Sequence, residues 1–61
     1  MFPLENIMGS LNPSGLIDIY DQGGEHLLLA SSPRMIPYDL RKLLVISIEE
    51  KGEDIKIILQ T

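Results

Sequence analysis

His26 is the single imidazole of the chain, and Tyr20, Asp21 and Glu25 lie close to it in sequence, so this is the first place to look for a general base or a proton shuttle. A three-residue hairpin loop would set His26 across from Tyr20. The plainer reading, a half-exposed cross-strand partner for an aromatic ring, is preferred to catalysis. Glu49, Glu50, Glu53 and Asp54 crowd one short stretch. Clustered carboxylates suit hard cations, but this spacing matches no EF-hand loop, and the group is read as an acidic knob for a basic partner or as a solubilising tip. Gln22-Gly23-Gly24 lacks the strand-loop-helix setting and the following Lys of a phosphate cradle, and reads as a turn. Ser14, Ser31 and Ser32 have no nucleophile-elbow motif and no relay to the one His. Arg34, Arg41 and Lys42 near Tyr38 could meet one phosphate or an acidic partner, well short of a nucleic-acid track. With no Cys there is no thiol nucleophile, thiolate metal site or disulfide. The expectation is a protein that is not an enzyme, with no catalytic residue, cofactor or metal site.

The elements that would position these groups follow from apolar spacing. Leu4, Ile7, Met8 and Leu11 recur at i, i+3, i+4 and i+7, and Pro3 suits a first helical position, which predicts a helical arm over 2–11. Gly9 and Ser10 weaken it, so it forms only by docking. Phe2, Leu4, Ile7, Met8 and Leu11 are read first as a lid on the protein's own sheet and second as a helix for a partner's groove. A linker covers 12–15. Period-two alternation then predicts a hairpin over 16–31, with a three-residue loop placing Ile19 opposite Leu27 and Ile17 opposite Leu29; a two-residue Gly-Gly turn would instead set Ile17 against Ala30. Residues 32–43 form a connection with one helical turn after Pro37. A second hairpin over 44–60 turns at Lys51-Gly52, pairing Ile48 with Ile55, Ile46 with Ile57 and Glu49 with Asp54.

These elements make an α+β, mostly β single domain: a four-stranded antiparallel sheet of two hairpins, open or curled into a small barrel, with a short N-terminal helix and a helical turn between the hairpins. Its inward set is Ile17, Ile19, Leu27, Leu29, Leu44, Ile46, Ile48, Ile55, Ile57 and Leu59. The opposite face also carries apolar residues, and Leu16, Tyr20, Leu28, Val45 and Ile58 are the candidate self-association surface.

Length and charge bound the function. A chain of 61 residues makes one domain at most and buries only about 60 % of its unfolded surface, which favours help from a partner or a second copy. A formal charge of −4 has the wrong sign for holding a phosphate backbone, so no direct nucleic-acid binding is expected. No apolar run reaches membrane-span length and the start lacks a signal-peptide pattern, so no membrane association and a cytoplasmic location are expected, as is a whole small gene product.

Ile17-Asp18-Ile19-Tyr20-Asp21-Gln22-Gly23-Gly24, then Leu27-Leu28, Ile36-Pro37-Tyr38-Asp39-Leu40 and Val45-Ile46-Ser47-Ile48, together resemble a pattern in small uncharacterised proteins of bacterial phages and mobile elements. The resemblance implies a host-interacting accessory gene and carries over no site residue. The leading functional expectation is therefore a non-catalytic protein-binding module, an inhibitor of anti-defence type that docks on a host protein through Glu49, Glu50, Glu53 and Asp54. The alternatives are a self-associating homodimer or small ring, and small-ligand binding at a subunit interface through His26 and Tyr20.

Overall fold

The computed structural model describes residues 1–11 and 14–61, so the expected linker is seen only at Ser14 and Gly15, while Asn12 and Pro13 lie outside the described residues. A 3₁₀ helix, Leu4–Ser10, is followed by strands β1 (Ile17–Asp21) and β2 (His26–Ala30). A 3₁₀ turn, Pro33–Met35, and the single-turn helix α1 (Tyr38–Arg41) lead to β3 (Leu44–Lys51) and β4 (Asp54–Gln60). The strands form one sheet in the order β2-β1-β4-β3. Both expected hairpins are present and antiparallel, but β1 and β4 meet in the centre as a parallel pair, so the sheet is mixed. It is open at β2 and β3, which removes the barrel alternative.

The first hairpin has the expected three-residue loop. Gly24 has φ of 90°, the left-handed conformation that closes such a loop, and Asp21 accepts hydrogen bonds at Oδ1 from the backbone N–H of Gly23 (2.9 Å) and Glu25 (2.8 Å). Tyr20 pairs with His26 as this loop requires. A bulge then intervenes, and beyond it Ile19 pairs with Leu28 and Ile17 with Ala30, the register expected for the shorter turn. In the second hairpin the turn lies one residue later than expected, at Gly52-Glu53. Gly52 has φ of 64° and no other residue type takes a positive φ among the described residues, the sign pattern of a II′ turn. Ile48 therefore pairs with Ile57, Glu49 with Lys56 and Lys51 with Asp54, with a second bulge between Val45 and Ser47.

Each bulge inserts one residue into a strand and so exchanges inside for outside beyond it. The buried core is Leu4, Ile17, Ile19, Ala30, Ile36, Val45, Ile57 and Leu59, with Ile7, Met8, Leu11, Leu27, Leu28, Leu40, Leu43 and Ile55 packed around it. Leu29, expected inside, is 50 % exposed, and Ile46 and Ile48 are exposed as well. Val45 and Leu28, expected on the opposite face, belong to the core side. The proposed self-association surface is thus not one surface: Val45 is buried, Leu28 packs on the core, and Leu16, Tyr20 and Ile58 remain.

The arm does act as a lid. Leu4 is fully buried beneath it and Ile7, Met8 and Leu11 pack on the core, while Phe2 stays partly exposed. It is a seven-residue 3₁₀ helix rather than an α-helix, the tighter form suited to a short segment ending in Gly9 and Ser10. Before it, the chain pairs with the outer edge of β3: Pro3 bridges Leu44 antiparallel, the Val45 N–H donates to the Phe2 carbonyl (2.8 Å) and the Leu4 N–H to that of Leu43 (2.9 Å). The connection from β2 to β3 spans opposite edges of the sheet, and on the way it buries Ile36 completely. Among the described residues no helix is long and apolar enough to cross a membrane.

Candidate functional site

The 3₁₀ lid is too short for the sheet beneath it. Seven residues at about 2.0 Å each reach roughly 14 Å, whereas the eight residues of β3 at about 3.3 Å each extend roughly 26 Å. Among the described residues nothing covers the far end of the second hairpin, and every residue from Ile46 to Gly52 is exposed. A cleft of about 340 Å³ opens there between the end of the lid and the hairpin. Ile48, Ile55 and Leu11 supply its apolar wall; Glu50, Glu53 and Asp54 supply its carboxylates. Ile48 and Glu50 stand on this side because their cross-strand partners Ile57 and Ile55 face the core.

Strand alternation divides the acidic cluster predicted from sequence, and the shifted turn changes its cross-strand partners. Glu50, Glu53 and Asp54 border the cleft. Glu49 pairs across the strands with Lys56, on the other face of the sheet, rather than with Asp54, and Asp54 pairs with Lys51. Asp54 also holds the fold together, since its Oδ1 accepts the Leu16 N–H at 2.8 Å, while Gly15 N–H donates to the Glu53 carbonyl at 2.9 Å. These two bonds tie the segment entering β1 to the hairpin. Glu50 and Glu53 are therefore the carboxylates free of such duty in the described structure. Among the described residues no group of three or more carboxylates and imidazoles is placed to hold a metal ion.

A second cluster occupies the open face. His26 Nε2 lies 3.1 Å from Asp18 Oδ1, the rings of His26 and Tyr20 meet edge-on with centroids 4.9 Å apart, and Lys56 Nζ stands 4.9 Å from the centre of the Tyr20 ring. The Tyr20–His26 meeting follows from the hairpin loop and is legible in sequence. The acidic partner is Asp18, whereas Asp21, nearer in sequence, is spent on the loop. Lys56 joins only because β4 lies parallel to β1, pairing Asp18 with Lys56 and Tyr20 with Ile58, which local alternation does not reveal. The cleft lies on the opposite side of the sheet, so these four residues form a separate surface group in which His26 is exposed and Asp18, Tyr20 and Lys56 are half-buried. The basic residues of the connection do not act together either: Arg41 donates from Nε to the Ile36 carbonyl (2.7 Å), Lys42 sits 5.7 Å from the Tyr38 ring centre and Arg34 is exposed.

No protein-family model, curated protein or solved structure matches the chain.

Proposed function

We propose that the chain is a non-catalytic protein-binding module that docks on a basic surface of another protein through the distal end of its β3–β4 hairpin. The observation that carries this reading is the cleft left beyond the short lid, which joins an apolar wall of Ile48, Ile55 and Leu11 to the carboxylates Glu50 and Glu53. An apolar centre with a charged rim is the composition of an interface, and its acidic sign selects a partner rich in Lys and Arg. The resemblance to phage and mobile-element proteins supplies the context: an accessory inhibitor whose acidic rim occupies a host protein's nucleic-acid-binding surface.

The test is capture of partner from host lysate by the wild-type chain and by three folded variants. Ile48→Asp and the double variant Glu50→Lys/Glu53→Lys should lose the captured protein, and Leu29→Asp, on the open face, should retain it. Equal capture by all four, or loss confined to Leu29→Asp, would move the docking surface away from the cleft.

A further inference from the structure

We infer that the exposed edge of β3 from Ser47 to Lys51 is a strand-addition site, taking an extended partner segment with an apolar residue across Ile48 and basic residues across Glu49 and Glu50. This rests on the protein-binding reading and specifies how the partner is held. β3 is an outermost strand, and among the described residues no backbone or side-chain hydrogen bond reaches the outer edge of Ser47–Lys51. A free edge of this kind is a template for another strand, with main-chain bonds giving affinity and alternate side chains giving specificity. The chain already uses the same edge once: Phe2, Pro3 and Leu4 pair antiparallel with Leu43–Val45. That pairing stops at the bulge between Val45 and Ser47, and regular strand resumes beyond it with its outer side unpaired.

Side-chain placement selects the occupant. A strand added beyond the bulge puts its residue opposite Ile48 over the cleft, beside Ile55 and Leu11. Its next residues stand against Glu49 on one face and Glu50 on the other. A second copy of this chain offers no register that gives both carboxylates a basic partner. Centred on Glu49 or Glu50 it sets like charges directly opposite, which destabilises a strand pair, and centred on Ile48 it sets Glu49 against Ser47 and Glu50 against Ile46. A Lys-Lys-Val segment running antiparallel satisfies all three positions.

The probe is a blocked extended peptide carrying Lys-Lys-Val, and the same peptide N-methylated at alternate amides so that its pairing edge cannot donate. The test uses the 61-residue chain with no affinity tag before Met1, since a tag there would run along the same edge. Amide hydrogen exchange of Ser47–Lys51 should slow when the unmodified peptide binds and stay unchanged with the methylated one, and Glu49→Lys/Glu50→Lys should weaken binding about tenfold. If both peptides bind equally and perturb Leu11, Ile48 and Ile55 without slowing exchange in β3, strand addition is overturned and cleft docking stands. If neither binds a folded protein, strand addition is again overturned, and the capture experiment with Ile48→Asp decides cleft docking independently.

Discussion

Gly15 sits against the second hairpin so closely that a β-carbon would collide with the Asp54 carboxylate and crowd the Glu53 carbonyl, the two groups that hold the entry to β1. Gly15→Ala should cost about 1–3 kcal/mol, because the backbone must move and give up one of those bonds. Gly9 offers a control in the same protein: its added methyl would meet nothing within 4 Å and its φ is not positive. Gly9→Ala should be neutral or raise stability by about 0.4–1 kcal/mol, by restricting the unfolded chain. Urea unfolding of both variants checks the pair, and equal effects would refute the steric account. His26 and Asp18 retain 43 % and 34 % of their side-chain exposure, so their contact is one that water screens. His26→Ala should change stability by no more than about 1 kcal/mol, read from the same denaturation curves.

The elements depend on one another through few anchors. Leu4 is the fully buried residue of the N-terminal helix, and the same segment supplies the strand bonds to β3. Leu4→Ala should cost about 2–5 kcal/mol, against a total stability of roughly 3–9 kcal/mol expected for a chain of this length, so the variant should lose a large share of its stability and unfold at a clearly lower urea concentration, followed by circular dichroism. Ile36 plays the equivalent part in the connection. Its burial was not legible in Ser31–Pro37, where Pro and Ser signal a loop and two adjacent apolar residues, Met35 and Ile36, give no period. The hairpins themselves were legible, since alternation and glycine turns encode them. Their inner faces were less so, because nothing in the alternation marks where a bulge will reverse it.

The whole molecule exposes 3905 Å², close to the roughly 3950 Å² expected of a folded monomer of this mass, and its radius of gyration of 10.2 Å matches the expected value of about 10.5 Å. One sheet, one lid and one connection enclose the buried core from within a single chain. The open face carries the Asp18, His26, Tyr20 and Lys56 group, and the apolar residues proposed for self-association are dispersed between core and surface. Light scattering should report a monomer, and Leu28→Ala should lower stability without altering mass. A dimer that Leu29→Asp dissociates would instead place the subunit contact on the open face.

Local patterning alone was enough for the two hairpins, the first loop with its left-handed Gly24, the single helical turn after Pro37 and the apolar stripe of the N-terminal lid. Each depends on neighbours a few residues apart, where spacing and backbone preference suffice. Which strands meet in the centre, where the bulges fall and how much of the sheet the lid covers emerge only in the folded chain. Those outcomes are set by contacts between distant segments: β1 with β4, the N-terminal segment with β3, and Asp54 with the backbone of Leu16. The division of the acidic cluster, with Glu49 on one face and Glu50 at the cleft, is strand alternation itself, whereas the later turn decides the partners, giving Glu49 Lys56 in place of Asp54.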